Sequence, residues 1–237
     1  MRKLIDKKYC DNCLSVTKSI FKDLGKQDLE KINKNKNCNY YKKGQVVFFE
    51  HNFPDGLYCV QDGKVKVFKT GNTGKEQIIR FAKTGDVLGY RALLAGESYS
   101  ASASVLEDSK ICFIRKESIF ELFNTNNNFS FEMIKLLSHD IEDVERKMVK
   151  LAQKPVRERL AEALLILKET YGTEESDGKF LNITLTREDL ANIVGTATET
   201  VIRLLADFKN KKLISTKGKK IEILNLQGLI EISNLND

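Results

Sequence analysis

Two polar side chains, Glu199 and Arg203, stand four residues apart in a segment whose apolar residues recur at helical spacing. Residues four apart lie on one face of an α-helix, so both side chains can reach the same surface. Arginine can donate two hydrogen bonds to the edge of a guanine, and glutamate can accept one from the amine of a cytosine. The pair therefore has the chemistry needed to read base edges in the major groove of DNA.

The residues around this pair, 185–209, predict two short helices joined by a tight turn. Thr186, with Asp189 three residues later, predicts the N-cap of the first helix, and Gly195 marks the turn. The second helix would bury an apolar stripe formed by Val201, Leu204 and Leu205. This is the helix-turn-helix pattern, in which the second helix enters the major groove.

Charge supports contact with DNA only locally. The whole chain has a formal net charge of +6 and a pI of about 8.9. Residues 155–237, however, contain twelve Lys and Arg against thirteen Asp and Glu, so this half is nearly neutral. Six lysines lie between positions 209 and 220 with no acidic residue among them, and this patch could contact phosphates.

Length and composition indicate an ordinary globular protein of two modest domains. The chain has 237 residues, of which 41% are hydrophobic and 30% charged. It contains no apolar run long enough to span a bilayer, and its start lacks the apolar core of a signal peptide. We therefore expect a cytoplasmic protein with no membrane partner. Five cysteines, an odd number, argue against a disulfide framework and for metal, redox or packing roles.

The order of elements predicts three segments. Residues 20–33 indicate a short helix or helix pair, and β-rich, glycine-punctuated stretches from 40 to 114 indicate an antiparallel barrel or roll. A long helix follows at about 129–153, and Pro155 can begin the next one. We place the boundaries at 1–127 for a sensor domain, 128–154 for the long helix and 155–237 for the DNA-binding domain.

The long helix has apolar residues at alternating spacings of three and four. Such a narrow stripe between charged flanks is typical of a short coiled coil, and it favours a homodimer. The alternative is a helix packed on the core of its own domain. The seam residues are Ile134, Leu137, Ile141, Val144, Met148 and Leu151.

These features together resemble the family of the cyclic-AMP receptor protein and the fumarate-nitrate regulator (CRP/FNR). The resemblance is carried by YKKGQVVF from Tyr41, YCVQDGKVKV from Tyr58, GDVLG from Gly85, PVRERLA from Pro155 and LTREDLANIVGTATETVIRLL from Leu185. It implies an α+β fold: an N-terminal cyclic-nucleotide-binding-type β-roll (jelly roll), a long dimerisation helix and a C-terminal winged helix-turn-helix. It also implies a homodimeric transcription regulator that binds a palindromic operator in double-stranded DNA and senses an effector in the roll.

The resemblance assigns DNA-contacting residues. Glu199 and Arg203 keep the residue types expected in the recognition helix, whereas Thr198 replaces an Arg of the cyclic-AMP branch and Ile202 a Ser of one anaerobic branch. Further contacts, mainly to phosphates, would come from Thr186, Arg187, Thr196, Thr200 and the wing residues Lys217 and Lys219. The loop at 171–180 occupies a place where relatives can touch RNA polymerase.

The resemblance also locates an effector pocket after Gly85. Nucleotide-binding relatives have a Glu after the second Gly of GDVLG and an Arg before a Ser/Thr-Ala pair. This chain has Tyr90 and Ser100 there, and a one-residue slip offers only Tyr99 or Ala101, so no cation faces a phosphate. Arg91 is expected to point away from the pocket. We therefore expect no cyclic-AMP binding, and another ligand would meet Gly89, Tyr90, Arg91, Ser100 and Ala101.

The cysteines suggest a second way in which the protein could sense a signal. The oxygen-sensing branch holds an iron–sulfur cluster with an N-terminal CxxC, a Cys six residues later and a Cys in the roll. Cys10, Cys13 and Cys112 fit three of those positions, but Ser19 stands at the other. Cys38, on the expected loop before the roll, is a substitute with the wrong spacing. A cluster, a zinc site and a redox thiol pair remain open, beside the favoured interpretation of plain packing.

Other functional classes fit less well. Two histidines, no nucleophile motif and no glycine-rich phosphate loop leave no reaction centre, so we expect no enzyme. A small-molecule-binding module without a transcriptional role would not need Glu199, Arg203 or a basic hairpin. A redox- or oxygen-responsive regulator using Cys10, Cys13 and Cys112 is the main alternative, with DNA binding as its output.

Overall fold

Eight short strands pair into two sheets in the computed structural model of this chain, which describes residues 13, 16–171 and 185–234. One sheet has the order β1-β8-β3-β6 and the other β2-β7-β4-β5, which confirms the predicted β-roll. The strands are β1 Lys36–Tyr41, β2 Val46–Phe48, β3 Gly56–Asp62, β4 Lys64–Thr70, β5 Glu76–Lys83, β6 Val87–Leu88, β7 Ser102–Val105 and β8 Ser109–Arg115.

Strand β3 separates two apolar cores because its side chains alternate between the faces of the sheet. Val60 packs inside the roll, with Phe48, Val67 and Ile111 among its neighbours. Cys59, next along the strand, packs on the outer face against the helices. The outer core ties the helices to the roll.

Four helices belong to the first part of the chain: α1 Lys26–Asn35, α2 Tyr90–Ala95, α3 Lys116–Thr125 and α4 Asn127–Gln153. The predicted helix at 20–33 is wrong in its first half, since residues 19–25 form turns and coil and α1 begins at Lys26. Ser19 turns the chain there, because its Oγ donates to the carbonyl of Val16 at 2.9 Å and accepts from the amide of Phe21 at 3.1 Å.

The remaining elements build a winged helix-turn-helix, as predicted. They are α5 Val156–Tyr171, α6 Arg187–Val194, α7 Thr198–Asn210, β9 Ile214–Lys217, β10 Lys220–Ile223 and α8 Leu226–Ser233. The chain forms two compact units, one of residues up to Thr70 with Ile79–Glu142, and one of Gly71–Ile78 with the residues from Asp143 onward. Among the described residues, no helix has the length and apolar character needed to cross a membrane.

The corner between α4 and α5 is closely tied. The guanidinium of Arg159 donates to the carbonyls of Leu151 at 2.9 Å and Lys154 at 3.0 Å, so it caps the end of α4. Glu162, whose side chain is 5% exposed, accepts from the ammonium of Lys150 and lies 3.5 Å from that of Lys154. These contacts fix the direction of α5 relative to the last turn of α4.

Phe129 anchors the start of α4 in the outer core. It is 1% exposed, and its ring lies 5.8 Å from that of Phe21 and 5.1 Å from that of Phe123. We expect Phe129→Ala to lower the free energy of unfolding by about 3–5 kcal/mol, since it removes a buried ring and leaves a cavity. The matched change Phe53→Ala, at a ring that is 76% exposed, should cost less than about 0.5 kcal/mol. Urea unfolding of both variants measures the difference, and equal losses would contradict the anchoring role.

Candidate nucleic-acid interface

The first helix of the motif, α6, begins with a complete capping box. The hydroxyl of Thr186 accepts from the amide of Asp189 at 2.9 Å and donates to its carboxylate at 2.8 Å, and that carboxylate accepts from the amide of Thr186 at 2.9 Å. The predicted N-cap is therefore confirmed. Its hydroxyl is engaged in the cap, so any phosphate contact there needs a rearrangement of these bonds or a neighbouring donor.

The turn between the helices depends on Gly195. Its φ of +66° is in the left-handed region, and a Cβ there would approach Leu151 Cδ2 to 3.1 Å. The amide of Gly195 bonds the carbonyl of Ala191 and closes α6. The Nζ of Lys75 donates to the carbonyl of Thr196, which holds the loop that leads into α7.

Helix α7 divides into a buried stripe and an exposed polar face. Val201, Leu205 and Phe208 are buried, whereas the predicted inward residue Leu204 is only half-buried. Glu199 and Arg203 are both exposed on the other side, and Ile202 is 51% exposed between them. The structure thus places the three side chains on one accessible surface.

Contacts from α5 fix the position of α7. The guanidinium of Arg157 donates to the carboxylate of Asp207 at 2.6 Å and lies 5.2 Å from the centre of the Phe208 ring. A charge-assisted hydrogen bond with a cation–π contact restricts both rotation and sliding of the helix. Sequence reasoning did not identify this pair, since nothing local to either residue reveals its partner.

The wing is a two-stranded hairpin with Lys217 and Lys219 exposed near its turn. Gly218 lies between them at a φ of +59°. Its carbonyl accepts from the Nη2 of Arg187 at 3.3 Å, which joins the wing to the start of α6. The Nη1 of Arg187 is buried and has no hydrogen-bond partner among the described residues. The structure therefore gathers Arg187, Lys217 and Lys219 at one end of the motif.

Comparison with known proteins identifies the class of regulator. A cyclic nucleotide-binding domain model matches residues 38–126, and a Crp-like helix-turn-helix domain model matches residues 158–232. The chain is similar to the fumarate and nitrate reduction regulatory protein of Vibrio cholerae, with 30% identity over 195 residues, or 82% of this chain and 78% of that protein. This chain belongs to the CRP/FNR family of transcription regulators. Regulators of this family bind DNA and act as dimers, and they are not enzymes.

Further CRP/FNR relatives agree with this assignment. An anaerobic regulatory protein of Haemophilus influenzae is 28% identical over 229 residues, covering 96% of this chain and 89% of its own. A CRP/FNR regulator of Thermus thermophilus matches with a TM-score of 0.72 at 25% identity, covering 85% of this chain and 100% of that one. A third, from Eubacterium rectale, has a TM-score of 0.74 at 20% identity over 91% and 97% of the two chains.

The roll of this CRP/FNR regulator contains a cavity of about 40 Å³. All five residues predicted for the effector pocket line it: Gly89, Tyr90, Arg91, Ser100 and Ala101. The expectation that Arg91 points away is wrong, because the first turn of α2 directs both Tyr90 and Arg91 to the cavity. Arg80 also lines it and was missed, although the alternation of Ile78, Arg80 and Ala82 along β5 indicated an inward side chain.

The polar groups of the cavity converge on Asp140 of α4. The carboxylate accepts from the hydroxyl of Tyr90 and lies 3.7 Å from Arg80 Nη1 and 3.9 Å from Arg91 Nε. Burial raises the pKa of the Tyr90 phenol well above its usual range, so it remains a proton donor to Asp140. The Nη2 of Arg80 also donates to the carbonyl of Val87 at 2.9 Å. Both arginines therefore already lie beside an anion of the protein itself, the carboxylate of Asp140.

This arrangement does not fit a cyclic nucleotide. The cavity is far smaller than the roughly 300–1,000 Å³ of typical ligand sites, and the ring of Tyr99 stacks on Phe48 at 4.1 Å in its wall. Tyr90 stands where nucleotide-binding relatives have the ribose-binding Glu, and its hydroxyl donates to Asp140. Arg80 and Arg91, the two cations that line the cavity, both lie within 4 Å of the same carboxylate.

The candidate metal ligands that the structure describes, Cys13, Cys38 and Cys112, do not come together as a thiolate site either. Cys38 lies on β1 rather than on the expected loop, and it is joined to Cys112 of β8 by a disulfide. The sequence argued against a framework of disulfides but left a redox role for the cysteines open. A sulfur held in a disulfide is not a thiolate ligand. No three His, Cys, Asp or Glu side chains are grouped around a metal site within the described residues. Cys13 is buried, and Cys10 lies outside the described residues.

The Asp140 cluster should contribute measurably to stability. Asp140→Asn removes the charge that pairs with Arg80 and Arg91, whose guanidinium groups then lose their anionic acceptor. We expect a loss of about 1–3 kcal/mol in the free energy of unfolding. The control Asp143→Asn lies on the same helix in an exposed pair with Arg146 and should cost less than about 0.5 kcal/mol. Urea unfolding tests this, and a loss for Asp140→Asn no larger than the control would exclude a structural role for the cluster.

Proposed function

We propose that this regulator binds a palindromic operator as a homodimer, with Glu199 and Arg203 of α7 reading base edges. The observation that carries the proposal is the exposed polar face of α7, held in place by its buried stripe and by Arg157. The arginine would donate to a guanine and the glutamate would accept from the paired strand's cytosine or a neighbouring one. The exposed side chain of Ile202 adds an apolar contact, such as one to a thymine methyl group.

Residues around the motif would supply phosphate contacts that set the register of α7. Thr196, Thr198 and Thr200 lie at or just before the first turn of α7, where backbone amides also point outward. At the other end, Arg187 holds the wing through Gly218, so Lys217 and Lys219 approach the backbone with α6. Thr186 contributes through its cap, which orients the first amides of α6.

The dimer would form through the apolar seam of α4. Five of its six predicted residues are exposed in the single chain: Ile134, Ile141, Val144, Met148 and Leu151. Leu137 instead packs partly on the outer core of its own unit. This position therefore fits both the dimer seam and the alternative of a helix packed on the core of its own domain. Two α4 helices packed along this seam would place two recognition helices about one turn of DNA apart.

A DNA partner supports a site of action at the chromosome, and we propose that the protein acts in the cytoplasm. Contact with RNA polymerase through the loop at 171–180 would permit activation, although residues 172–180 lie outside those described. The effector would act through the roll. Arg80, Arg91 and Tyr90 already contact Asp140, which favours an effector other than cyclic AMP.

Arg203→Ala tests base reading. On the cognate half-site we expect a loss of about 1–3 kcal/mol, or roughly fivefold to 150-fold in Kd, with a flatter preference among sequences. The contrasting variant Lys217→Ala should weaken binding to all sequences alike and reduce the salt dependence. The operator is first selected from random DNA, and Kd is then measured by fluorescence anisotropy. An equal loss on specific and random DNA for Arg203→Ala would contradict the base contact.

Ile141→Asp tests the dimer seam. A charge at a position that is 61% exposed in the monomer costs little there, but it would be buried in the dimer without a partner. We expect monomers in analytical ultracentrifugation and at least a tenfold weaker operator affinity. His139→Asp introduces the same charge on the opposite side of α4 and should leave the dimer intact. Dimers that survive Ile141→Asp at micromolar concentration would exclude this seam.

A further inference from the structure

Three cysteines stand side by side across three neighbouring strands of the roll. Strand β8 lies between β1 and β3, and in the antiparallel registers Cys112 is paired with Cys38 on one side and with Cys59 on the other. Residues directly opposite each other in a sheet point to the same face. The three side chains therefore form one row, which we call the cysteine row, on the face that carries the helices.

The spacing within the cysteine row allows a disulfide on either side of Cys112. The Cα atoms of Cys38 and Cys112 lie 3.9 Å apart, the short distance of a non-hydrogen-bonded pair. Because the bonds of a strand alternate in direction, Cys112 then forms a hydrogen-bonded pair with Cys59, whose Cα spacing is about 5.5 Å in such ladders. Disulfides span Cα separations of roughly 4.4–6.8 Å. The Cys38–Cys112 pair is bonded at a Cα spacing just below this range, and the spacing of about 5.5 Å expected between Cys112 and Cys59 lies within it.

Access differs along the cysteine row. Cys38 is half-buried on the edge strand β1, whereas Cys112 is 6% and Cys59 5% exposed. A small thiol is therefore expected to react first at the sulfur of Cys38 and more slowly at the other two. In a compartment that keeps thiols reduced, the disulfides that form are usually transient and redox-active. The location of this bond, at the solvent edge of a sheet, agrees with that behaviour.

We propose that the cysteine row is a reversible thiol–disulfide exchange site whose reaction partner is a small thiol and its disulfide. A thiolate attacks Cys38 Sγ, forms a mixed disulfide and breaks the Cys38–Cys112 bond. Cys112 leaves as a thiolate and takes a proton from water. A second thiolate then attacks the mixed disulfide at the small-molecule sulfur and releases Cys38. Two small thiols are oxidised to one disulfide as the protein bond is reduced, and the reverse sequence restores it.

Cys59 gives the cysteine row a second, internal reaction. Its thiolate attacks Cys112 Sγ, forms the Cys59–Cys112 bond and expels Cys38 as a thiolate, with no net oxidation. The bond thereby moves from the edge strand β1 to the interior strand β3. In the first state the bond ties β1, which directly follows α1, to the sheet; in the second state β1 is held by its ladder alone.

Peptide mapping across glutathione buffers of increasing oxidising power tests the site. The full-length protein is quenched in acid, alkylated with N-ethylmaleimide and digested. We expect a linked Cys38–Cys112 peptide under oxidising conditions, with two fewer alkylated thiols than under reducing conditions. In Cys38→Ser the link should form between Cys59 and Cys112, and in the double variant with Cys59→Ser the Cys112 thiol should be alkylated in every buffer. Cys13→Ser, a buried cysteine outside the row, should behave as the wild type.

Internal exchange is tested in the wild-type fold. Native oxidised protein treated with N-ethylmaleimide should accumulate alkylated Cys38 together with a Cys59–Cys112 link, and Cys59→Ser should lose this product. A wild type whose cysteines all stay alkylatable in oxidised glutathione would overturn the proposal. So would a folded Cys38→Ser protein, checked by circular dichroism, in which Cys59 and Cys112 both remain thiols. Neither readout involves DNA, so these results are independent of the proposed operator binding.

Discussion

The described part of the chain leaves the apolar face of α4 uncovered, and this constraint shapes the rest of the molecule. The first turn of the helix is anchored by Phe129, but Ile141 and Met148 are 61% and 64% exposed. A monomer therefore presents a continuous apolar stripe to water, which is a costly arrangement for a helix of 27 residues. The proposed second copy would cover it and would at the same time impose the two-fold symmetry that a palindromic operator requires.

The DNA-binding motif relies on polar contacts that are remote from the reading surface. Thr186 and Asp189 close the start of α6, and Arg157 fixes α7 through Asp207. Thr186, Asp189 and Arg157 all lie outside α7. Their common effect is to hold α7 in place, so that the proposed contact of Glu199 with DNA would not have to order the helix first.

Much of this architecture could be predicted from the chain because it is encoded locally. The capping residues of α6, the periodicity of α4 and the glycine-punctuated strands each follow from neighbours in sequence. The contacts that escaped prediction join distant segments: Asp140 to Tyr90, and Cys38 to Cys112. The register between β1 and β8 decides the second of these, and a shift of one residue would separate the sulfurs. The alternation of residues along β5 indicates that the side chain of Arg80 points inward, but only if this strand is assumed to face a cavity.

The corner at Pro155 has a mechanical consequence. Arg159 binds the last carbonyls of α4, while Glu162 holds the ammonium groups of Lys150 and Lys154. A corner with so many bonds across it behaves as a rigid connection rather than a hinge. Because Arg157 of α5 also holds α7, the last turns of α4 and the helix-turn-helix of the same compact unit should move together.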